Sequence, residues 1–442
     1  MRMSKKSSAR VRRPRLLCRA AAVLLSVVIL PVAAMLPSFA QRAQQTDPTA
    51  ARNTTLTAAT DEVLRETSVL RQLSILRPVH SSAQSRAEIE QMIVRNLDRD
   101  TTPAEMHASE VALKKLGLAP ANFQLRPLIV RLLTEQVAGY YDPRLQEFHL
   151  ADWIDVDGQR PIMAHELTHA LQDQHFNLRR FEEWPKGDSD AQLAAHALIE
   201  GDATLAMTQY VLSDRTRALS FLKSIATTEM SSEELNKAPR ALRDTLLFPY
   251  QEGLVWTRAL YQMGGWKEVS DAFTTLPQST EQILHPEKYF VREGPVKVSL
   301  VDTRSSLGRG WRRLDYDVNG EWGFYLTLDQ FLKSTIESKR AAAGWAGDRY
   351  AVYENRRGQV TYISLSAWDT EKDAREFFDA YVKRSELRYP KSPVVSSTSN
   401  TRSIRTVQGD VLIELRGKRV LVVEGLPLSA RMRLLTHEVW AG

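Results

Sequence analysis

Apolar residues recur at helical spacing over most of the first 300 positions. Between residues 61 and 118 they stand three or four positions apart, and Pro78 and Pro103 interrupt the pattern. That period places apolar side chains along one face of a helix, so it predicts a small helical region. The same spacing returns over 128–137 and 190–212, where it predicts two further helices.

The C-terminal third shows a different pattern, in which apolar and polar residues alternate. Alternating stretches at 349–355 and 360–368 flank a polar turn, and a second pair stands at 411–415 and 420–423. Alternation with a period of two is typical of strands with one buried face, so each pair predicts a β-hairpin. A helical stretch at 370–384 separates the two hairpins. This order of elements predicts an α+β domain.

Between these two parts, the pattern predicts a small sheet and a helix. The segment Gly139-Tyr-Tyr-Asp-Pro143 is typical of a turn, Gln146–Ala151 of a short strand, and Pro161 of the first turn of a helix. The predicted fold class is therefore α+β, a mainly helical domain with a small edge sheet followed by a C-terminal α+β domain. The predicted boundaries are a leader at 1–40, a flexible linker at 41–60, a helical N-terminal region at 61–125, the mainly helical domain at 126–295 and the C-terminal domain at 296–442.

The composition is that of a soluble globular protein rather than a polytopic membrane protein, with 43% apolar and 25% charged residues among 442. The formal charge of +6 would ordinarily suggest a nucleic-acid partner. However, eight of the 59 basic residues and none of the 53 acidic residues lie in the first 40 positions. The remaining 51 basic residues face 53 acidic residues, a balance of −2. No nucleic-acid partner is therefore predicted.

The first 40 residues have the layout of an export signal. A basic segment ends at Arg19, an uncharged apolar run follows, and Ser38-Phe-Ala40 ends it in the pattern of a cleavage site. We expect export across the cytoplasmic membrane with cleavage after Ala40. The alternative is an uncleaved anchor that attaches the protein to the membrane, because the uncharged residues 20–40 are just long enough to span a bilayer. The only cysteine, Cys18, lies in this leader, so the exported part has no disulfide.

The most specific chemical signal in the chain is His165-Glu-Leu-Thr-His169. Residues four apart project from one face of a helix, so the two imidazoles can share a zinc ion. Glu166 would lie beside that ion and could take a proton from a water molecule. Apolar residues around the motif keep helical spacing, which agrees with a helix buried along one side. A purely structural pair of histidines is the alternative.

A catalytic zinc ion also needs a third protein ligand and an open position. Glu200, on the next long predicted helix, is the preferred candidate. His196 precedes it by one turn on the same face, where packing beside the site is expected rather than ligation. His175 is an alternative third ligand, because its spacing from His169 occurs in another type of zinc site. However, Gln172 favours a continuous helix, which would point His175 away from the two other histidines.

These residues carry a resemblance to a known class of enzyme. The two histidines, followed by a glutamate on a downstream helix, resemble the gluzincin type of zinc metallopeptidase. Five more segments look similar to a group of largely uncharacterised bacterial exported gluzincin-like proteins, namely Glu135–Pro143, Ala197–Ala203, Ser279–Tyr289, Gly344–Tyr350 and Trp368–Thr370. The resemblance implies a zincin-like catalytic domain at 126–295 with one Zn²⁺ per chain.

The resemblance also implies a reaction. His165, His169 and Glu200 would bind zinc, and Glu166 would be the general base for a zinc-activated water that hydrolyses peptide bonds in a peptide or protein substrate. The protein would then be a zinc metalloendopeptidase-like hydrolase that is periplasmic, secreted or N-terminally anchored. The competing hypothesis is a non-catalytic, zinc-stabilised envelope protein that binds a partner through its C-terminal domain.

A peptidase further needs a donor that stabilises the oxyanion of the transition state. Tyr140, just before the predicted strand, and His285, in a polar segment before a proline, are predicted as catalytic residues on this ground. Asp202 is expected to orient a ligand imidazole, and Gly201 to mark the close approach of another element. The full set of candidate donors is Tyr140, Tyr141, Tyr250, Arg258 and His285.

Overall fold

The computed structural model describes residues 48–182, 187–227 and 233–441. The predicted leader at 1–40 and the first residues of the predicted linker, 41–47, lie outside these ranges. Within the described ranges, no helix combines the length and apolar character that a bilayer crossing requires. The fold is α+β as predicted, with a helical N-terminal region that contains a three-stranded sheet and a C-terminal region built on a seven-stranded antiparallel sheet.

Helices dominate the first 300 residues. The predicted helices at 128–137 and 190–212 are confirmed, and two others begin with a serine or threonine that caps the helix reciprocally with a glutamate three residues later. In chain order the helices are α1 Pro48–Arg71, α2 Arg86–Asp100, α3 Pro103–Leu116, α4 Leu125–Gln136, α5 Arg160–Phe176, α6 Arg179–Glu182, α7 Ser189–Leu212, α8 Arg215–Thr227, α9 Glu233–Lys237, α10 Arg240–Ala272, α11 Thr280–Leu284 and α12 Pro286–Phe290.

The small sheet consists of β1 His80–Gln84, β2 Gly139–Asp142 and β3 Glu147–Ala151 in the order β1-β3-β2. The strand expected at Gln146–Ala151 is confirmed as β3. The turn expected at 139–143 is wrong over Gly139–Asp142, which pair antiparallel with β3, and the turn occupies residues 143–146. Strand β1 pairs parallel with β3, in a region where only helices were expected.

The linker expected at 41–60 is also wrong over residues 48–60, which form the start of α1. Leu56, Ala59 and Val63 are buried and form one stripe at helical spacing, which packs against apolar residues of α5. Polar residues around that stripe concealed it in the sequence. Helix α1 is therefore part of the structure that supports α5.

The C-terminal region follows the predicted hairpin–helix–hairpin order. The two expected hairpins, β5–β6 and β9–β10, lie side by side at the centre of the sheet, because β6 pairs with β10. The strand order is β4-β5-β6-β10-β9-β8-β7. Its elements are α13 Arg304–Leu307, β4 Trp311–Asp317, α14 Gly320–Leu332, α15 Thr335–Ala342, β5 Trp345–Asn355, β6 Val360–Trp368, α16 Glu371–Arg388, β7 Val394–Ser397, β8 Thr401–Thr406, β9 Gly409–Arg416, β10 Arg419–Leu426 and α17 Met432–Ala441.

Helix α7 is the central element of the helical region and is buried along most of its length. It crosses α10 at backbone contact, since a Cβ on Gly201 would lie 2.2 Å from the Gly253 carbonyl oxygen. This confirms the close approach expected at Gly201. The C-terminal region holds the start of α7, where the Ser189 N–H donates to Asp317 over 2.8 Å. One hydrophobic core includes side chains from both regions.

Candidate metal centre

Two histidines of α5 and one glutamate of α7 meet in the interior of the helical region. The Nε2 atoms of His165 and His169 are 3.1 Å apart, and Glu200 Oε2 lies 3.1 Å from the first and 3.4 Å from the second. We call these three residues the metal group. Among the described residues it is the one cluster of three or more His, Cys, Asp or Glu side chains whose ligand atoms come together closely enough to hold a metal ion.

The separations within the metal group fit a tetrahedral zinc ion. Zinc binds histidine nitrogen and carboxylate oxygen at about 2.0–2.1 Å, so neighbouring ligand atoms of a tetrahedron stand about 3.3–3.4 Å apart. The observed separations of 3.1, 3.1 and 3.4 Å lie close to that edge length. Two imidazoles with one carboxylate also form a donor set that zinc prefers. The metal group could therefore hold one metal ion.

Electrostatics keep Glu200 in the ionised form that a metal ligand needs. Burial alone would raise the pKa of Glu200, but the charge of His169 and the hydrogen bond with His165 outweigh it and lower the pKa to about 2. Burial would likewise lower the pKa of His169, yet the charges of Glu200 and Glu166 raise it to about 9. Burial lowers the pKa of His165. A metal ion at these atoms competes with the proton on His169.

A buried chain of polar side chains fixes the orientation of His169. Gln172 donates its amide N–H groups to the Ile199 carbonyl and to Asp202, so its carbonyl oxygen accepts from His169 Nδ1 at 2.9 Å. This leaves the Nε2 lone pair of His169 for a metal ion. Asp202 in turn accepts from Arg71 Nε at 2.5 Å and Nη2 at 3.1 Å, and both side chains are fully buried.

Glu166 lies between the metal group and the small sheet. Its Oε2 accepts the backbone N–H of Tyr141 over 2.8 Å, and the residue is fully buried. Strand β2 is an edge of the sheet, and it pairs with β3 on its other side. The edge strand therefore fixes the orientation of the Glu166 carboxylate.

Of the candidate oxyanion donors, Tyr250 lies beside the metal group. Its ring centroid is 6.2 Å from that of His165, and the two planes differ by 28°. Tyr250 is half-buried on α10, the helix that crosses α7 next to Glu200. Helix α10 therefore brings the Tyr250 phenol next to the metal group.

Tyr140 and His285 make polar contacts outside the metal group. The Tyr140 hydroxyl donates to Gln84 over 2.8 Å, and its ring packs on His149 with the centroids 4.8 Å apart. His285 Nε2 lies 3.0 Å from Glu321, a residue of the C-terminal region. The catalytic roles expected for Tyr140 and His285 stay predictions.

The two other histidines considered as ligands lie apart from the metal group. His175 donates from Nε2 to the Ser74 carbonyl over 2.7 Å, and α5 continues helically through Gln172 up to Phe176. His196 is buried one turn before Glu200, and burial lowers its pKa to about 4, which keeps the ring neutral. The structure thus selects Glu200 as the third member of the metal group.

Sequence reasoning did not identify two side chains that hold the site, those of Gln172 and Arg71, or the backbone N–H of Tyr141. Gln172 was interpreted only as a helix former, although its glutamine amide is the group that contacts His169. Arg71 gave no signal, because its partner Asp202 is 131 residues away in the chain. Asp202 acts on the imidazole through Gln172 rather than directly. The backbone N–H of Tyr141 could be found only after the strand β2 had been recognised.

Comparisons with known proteins add one finding. Residues 307–435 match a family model described as a domain of unknown function, DUF8575. No curated protein and no solved structure matches the chain. The matched segment covers most of the seven-stranded sheet region, and the metal group lies outside it. The chain is thus similar to DUF8575 in its C-terminal region, and the chemistry of the metal group has to be argued from its own residues.

Proposed function

We propose that the protein is a zinc-dependent peptidase of the gluzincin type. The observation that carries the proposal is the position of Glu166, next in sequence to a metal-group histidine and hydrogen-bonded to the edge of a sheet. A zinc ion at the metal group would supply Lewis acidity toward a substrate carbonyl and lower the pKa of a bound water. Buried His165, His169 and Glu200 are the residues that would hold it.

Side chains of the protein itself carry out the proton transfers and stabilise the oxyanion. Glu166, oriented by the Tyr141 N–H, accepts the proton of the attacking water and delivers it to the leaving amine. An extended peptide beside β2, the edge strand that contacts Glu166, would reach Glu166 and the metal group together. Tyr250, beside His165, is the candidate donor to the oxyanion.

The experiment compares zinc-loaded wild type with Glu166→Gln on a mixture-based fluorogenic peptide library. We expect both proteins to contain the same amount of zinc. The rate of hydrolysis should be roughly 10²–10⁴-fold lower in Glu166→Gln, which is the usual contribution of a general base. Glu90→Gln, an exposed glutamate on α2, is the matched control and should keep the wild-type rate. Hydrolysis that survives in Glu166→Gln would contradict the mechanism.

The burial of the metal group also favours a second candidate function, a structural metal site without catalysis. His165 and His169 are each 1% exposed, Glu200 is 5% exposed and Glu166 is fully buried, as in a structural metal site. A non-catalytic, zinc-stabilised envelope protein would contain zinc and melt at a lower temperature without it. It would show no hydrolysis of any library member, in wild type or in Glu166→Gln.

A further inference from the structure

A second buried cluster, far in sequence from the metal group, carries an excess of positive charge. It contains Lys115 at the end of α3, Arg384 and Arg388 of α16, and Glu424 of β10, and we call it the cation cluster. Lys115 is 6% exposed, Arg384 and Glu424 are fully buried, and the Arg388 side chain is 6% exposed. Three cations thus share one carboxylate in the interior.

The contacts of Glu424 satisfy the two arginines but not the lysine. Arg384 and Arg388 each pair with one oxygen of Glu424. The same arginines donate to the Leu116 and Lys115 carbonyls, at the C-terminal end of α3. A helix end supplies only about half a negative charge. At least one positive charge therefore stays uncompensated, which is costly in a buried position.

Lys115 carries the uncompensated positive charge, and it lines a groove. Its Nζ contacts the Gln408 carbonyl at 3.4 Å, and among the described residues it forms no ion pair. A Cβ on Gly425 would lie 2.1 Å from that Nζ, so the amine lies directly against the backbone at Gly425. The groove has a volume of about 790 Å³ and is lined by α3 and by the turns beside β5, β8 and β10.

Most other charges of the groove are paired within the protein, and the remaining cation, Arg357, is exposed to solvent. Lys114 pairs with Glu110, Arg405 with Asp410, and Glu354 with Arg312. The rim is apolar where Val407, fully exposed, and Leu428, 75% exposed, border it. An occupant that suits these walls carries one anionic group beside an apolar side chain.

We propose that this groove binds the carboxylate of an extended peptide, either a free C-terminus or an acidic side chain, with Lys115 as its ion-pair partner and Val407 and Leu428 contacting a neighbouring apolar residue. A planar carboxylate can take the two ammonium donors that the Gln408 carbonyl leaves unused. Burial of the pair excludes water and strengthens the attraction. The groove thus provides a peptide-binding site that does not depend on the metal group or on the proposed peptidase activity.

The test titrates the full-length chain with three probes by calorimetry. Acetyl-Leu-Ala carries a free C-terminus, acetyl-Leu-Glu-amide an acidic side chain, and acetyl-Leu-Gln-amide no charge. We expect at least one charged probe to bind and the neutral probe to bind tenfold more weakly or not at all. The better charged probe identifies the source of the carboxylate. Zinc-stripped protein should bind as well as zinc-loaded protein, which separates the groove from the metal group.

Two lysines supply the matched variants. Lys115→Met should weaken the charged probe at least tenfold, whereas Lys372→Met should change its affinity less than twofold, because Lys372 is exposed on α16 and does not line the groove. In unsubstituted protein, the charged probe should protect Lys115 from reductive methylation, a readout that requires no variant. Absence of binding at 10 mM of either charged probe, equal binding of the neutral probe, or equal effects of the two substitutions would each overturn the proposal.

Discussion

The metal group and the cation cluster are both buried, but their charges are unbalanced in opposite directions. Around the metal group, Glu166 and Glu200 bring two carboxylates to two imidazoles. In the cation cluster, three basic side chains surround Glu424. Buried charge is costly unless a partner compensates it. The difference therefore indicates what each site accepts, a metal cation in the first and a carboxylate in the second.

The two regions also differ in how their supporting residues are connected. Behind the metal group, Arg71 and Asp202 form a buried ion pair that adds no net charge. In the cation cluster the arginines instead tie α16 to the end of α3, and Lys115 is left facing the groove. The polar residues behind the metal group thus position a ligand, whereas those of the cation cluster hold two helices together and leave one charge at the groove.

Removal of Glu200 should have the largest effect. Without its carboxylate the metal group loses one of three donors, and we expect Glu200→Ala to weaken zinc binding at least a thousandfold, about 4 kcal/mol. His196→Ala, one turn away on the same helix, should keep the wild-type affinity within threefold. Competition with a zinc chelator followed by metal analysis measures both. Similar losses in the two variants would contradict the assignment of Glu200.

Breaking the pair of Arg71 and Asp202 should cost nearly as much. Arg71→Met leaves the Asp202 carboxylate buried without its partner, so the free energy of unfolding should fall by about 3–5 kcal/mol. The exposed pair of Arg126 and Asp98 provides the control, and Arg126→Met should cost less than about 1 kcal/mol. Urea denaturation at pH 7 compares the two. Equal small losses would show that the hydrogen-bonded side chains of Gln172, Asp202 and Arg71 do not support the site.

Lys115 predicts a pH dependence specific to the cation cluster. Burial and the neighbouring Arg388 and Arg384 lower the pKa of Lys115 to about 8, although Glu424 opposes this. Between pH 8 and the ordinary lysine pKa the unfolded chain binds a proton that the folded protein does not, so stability rises with pH. Relative to Lys115→Met, wild type should gain up to about 3 kcal/mol across this window.

Urea denaturation at pH 7.5, 9 and 10.5 follows that difference. Lys114→Met, which leaves Lys115 in place, should show the same rise with pH as wild type. Parallel curves for wild type and Lys115→Met would mean that the ammonium is solvated in the folded protein, and the comparison between the two clusters would lose its basis.

A smaller loss is expected where α7 crosses α10. In Gly201→Ala the new methyl group would overlap the Gly253 carbonyl, and separating the helices should cost about 1–3 kcal/mol. Because Glu200 precedes this contact directly, zinc affinity should fall as well. Gly323→Ala on α14 is the control, because its new methyl group lies no closer than 3.4 Å to a neighbouring residue and the melting temperature should not fall. A Gly201→Ala melting curve that matches wild type would contradict the close crossing.

The sequence was most informative where a local pattern sufficed. The helical spacing of His165 and His169 lies within one turn of α5, and the gluzincin-like glutamate lies on the next long helix, so both could be expected without coordinates. The central hairpins of the C-terminal sheet were equally local. Strand β1 could not be foreseen, because its partner β3 lies 67 residues later and its own five residues are polar or small.

Long-range polar contacts account for the rest of what was missed. Lys115 looked like an ordinary basic residue at a helix end, and only the fold brings it to Gln408 and Glu424 some 300 residues later. Tyr250 was one of five candidate donors in the sequence, and its position beside His165 follows from the crossing of α7 and α10. Composition and spacing do not encode such contacts.

Anomalous diffraction at the zinc edge from crystals of the zinc-loaded protein would test the central claim most directly. The account predicts one strong peak inside the helical region, at about 2.0–2.1 Å from His165 Nε2, His169 Nε2 and a Glu200 oxygen. A zinc-loaded crystal with no peak at these atoms, or with a peak coordinated by His175 or His196 in place of Glu200, would contradict it.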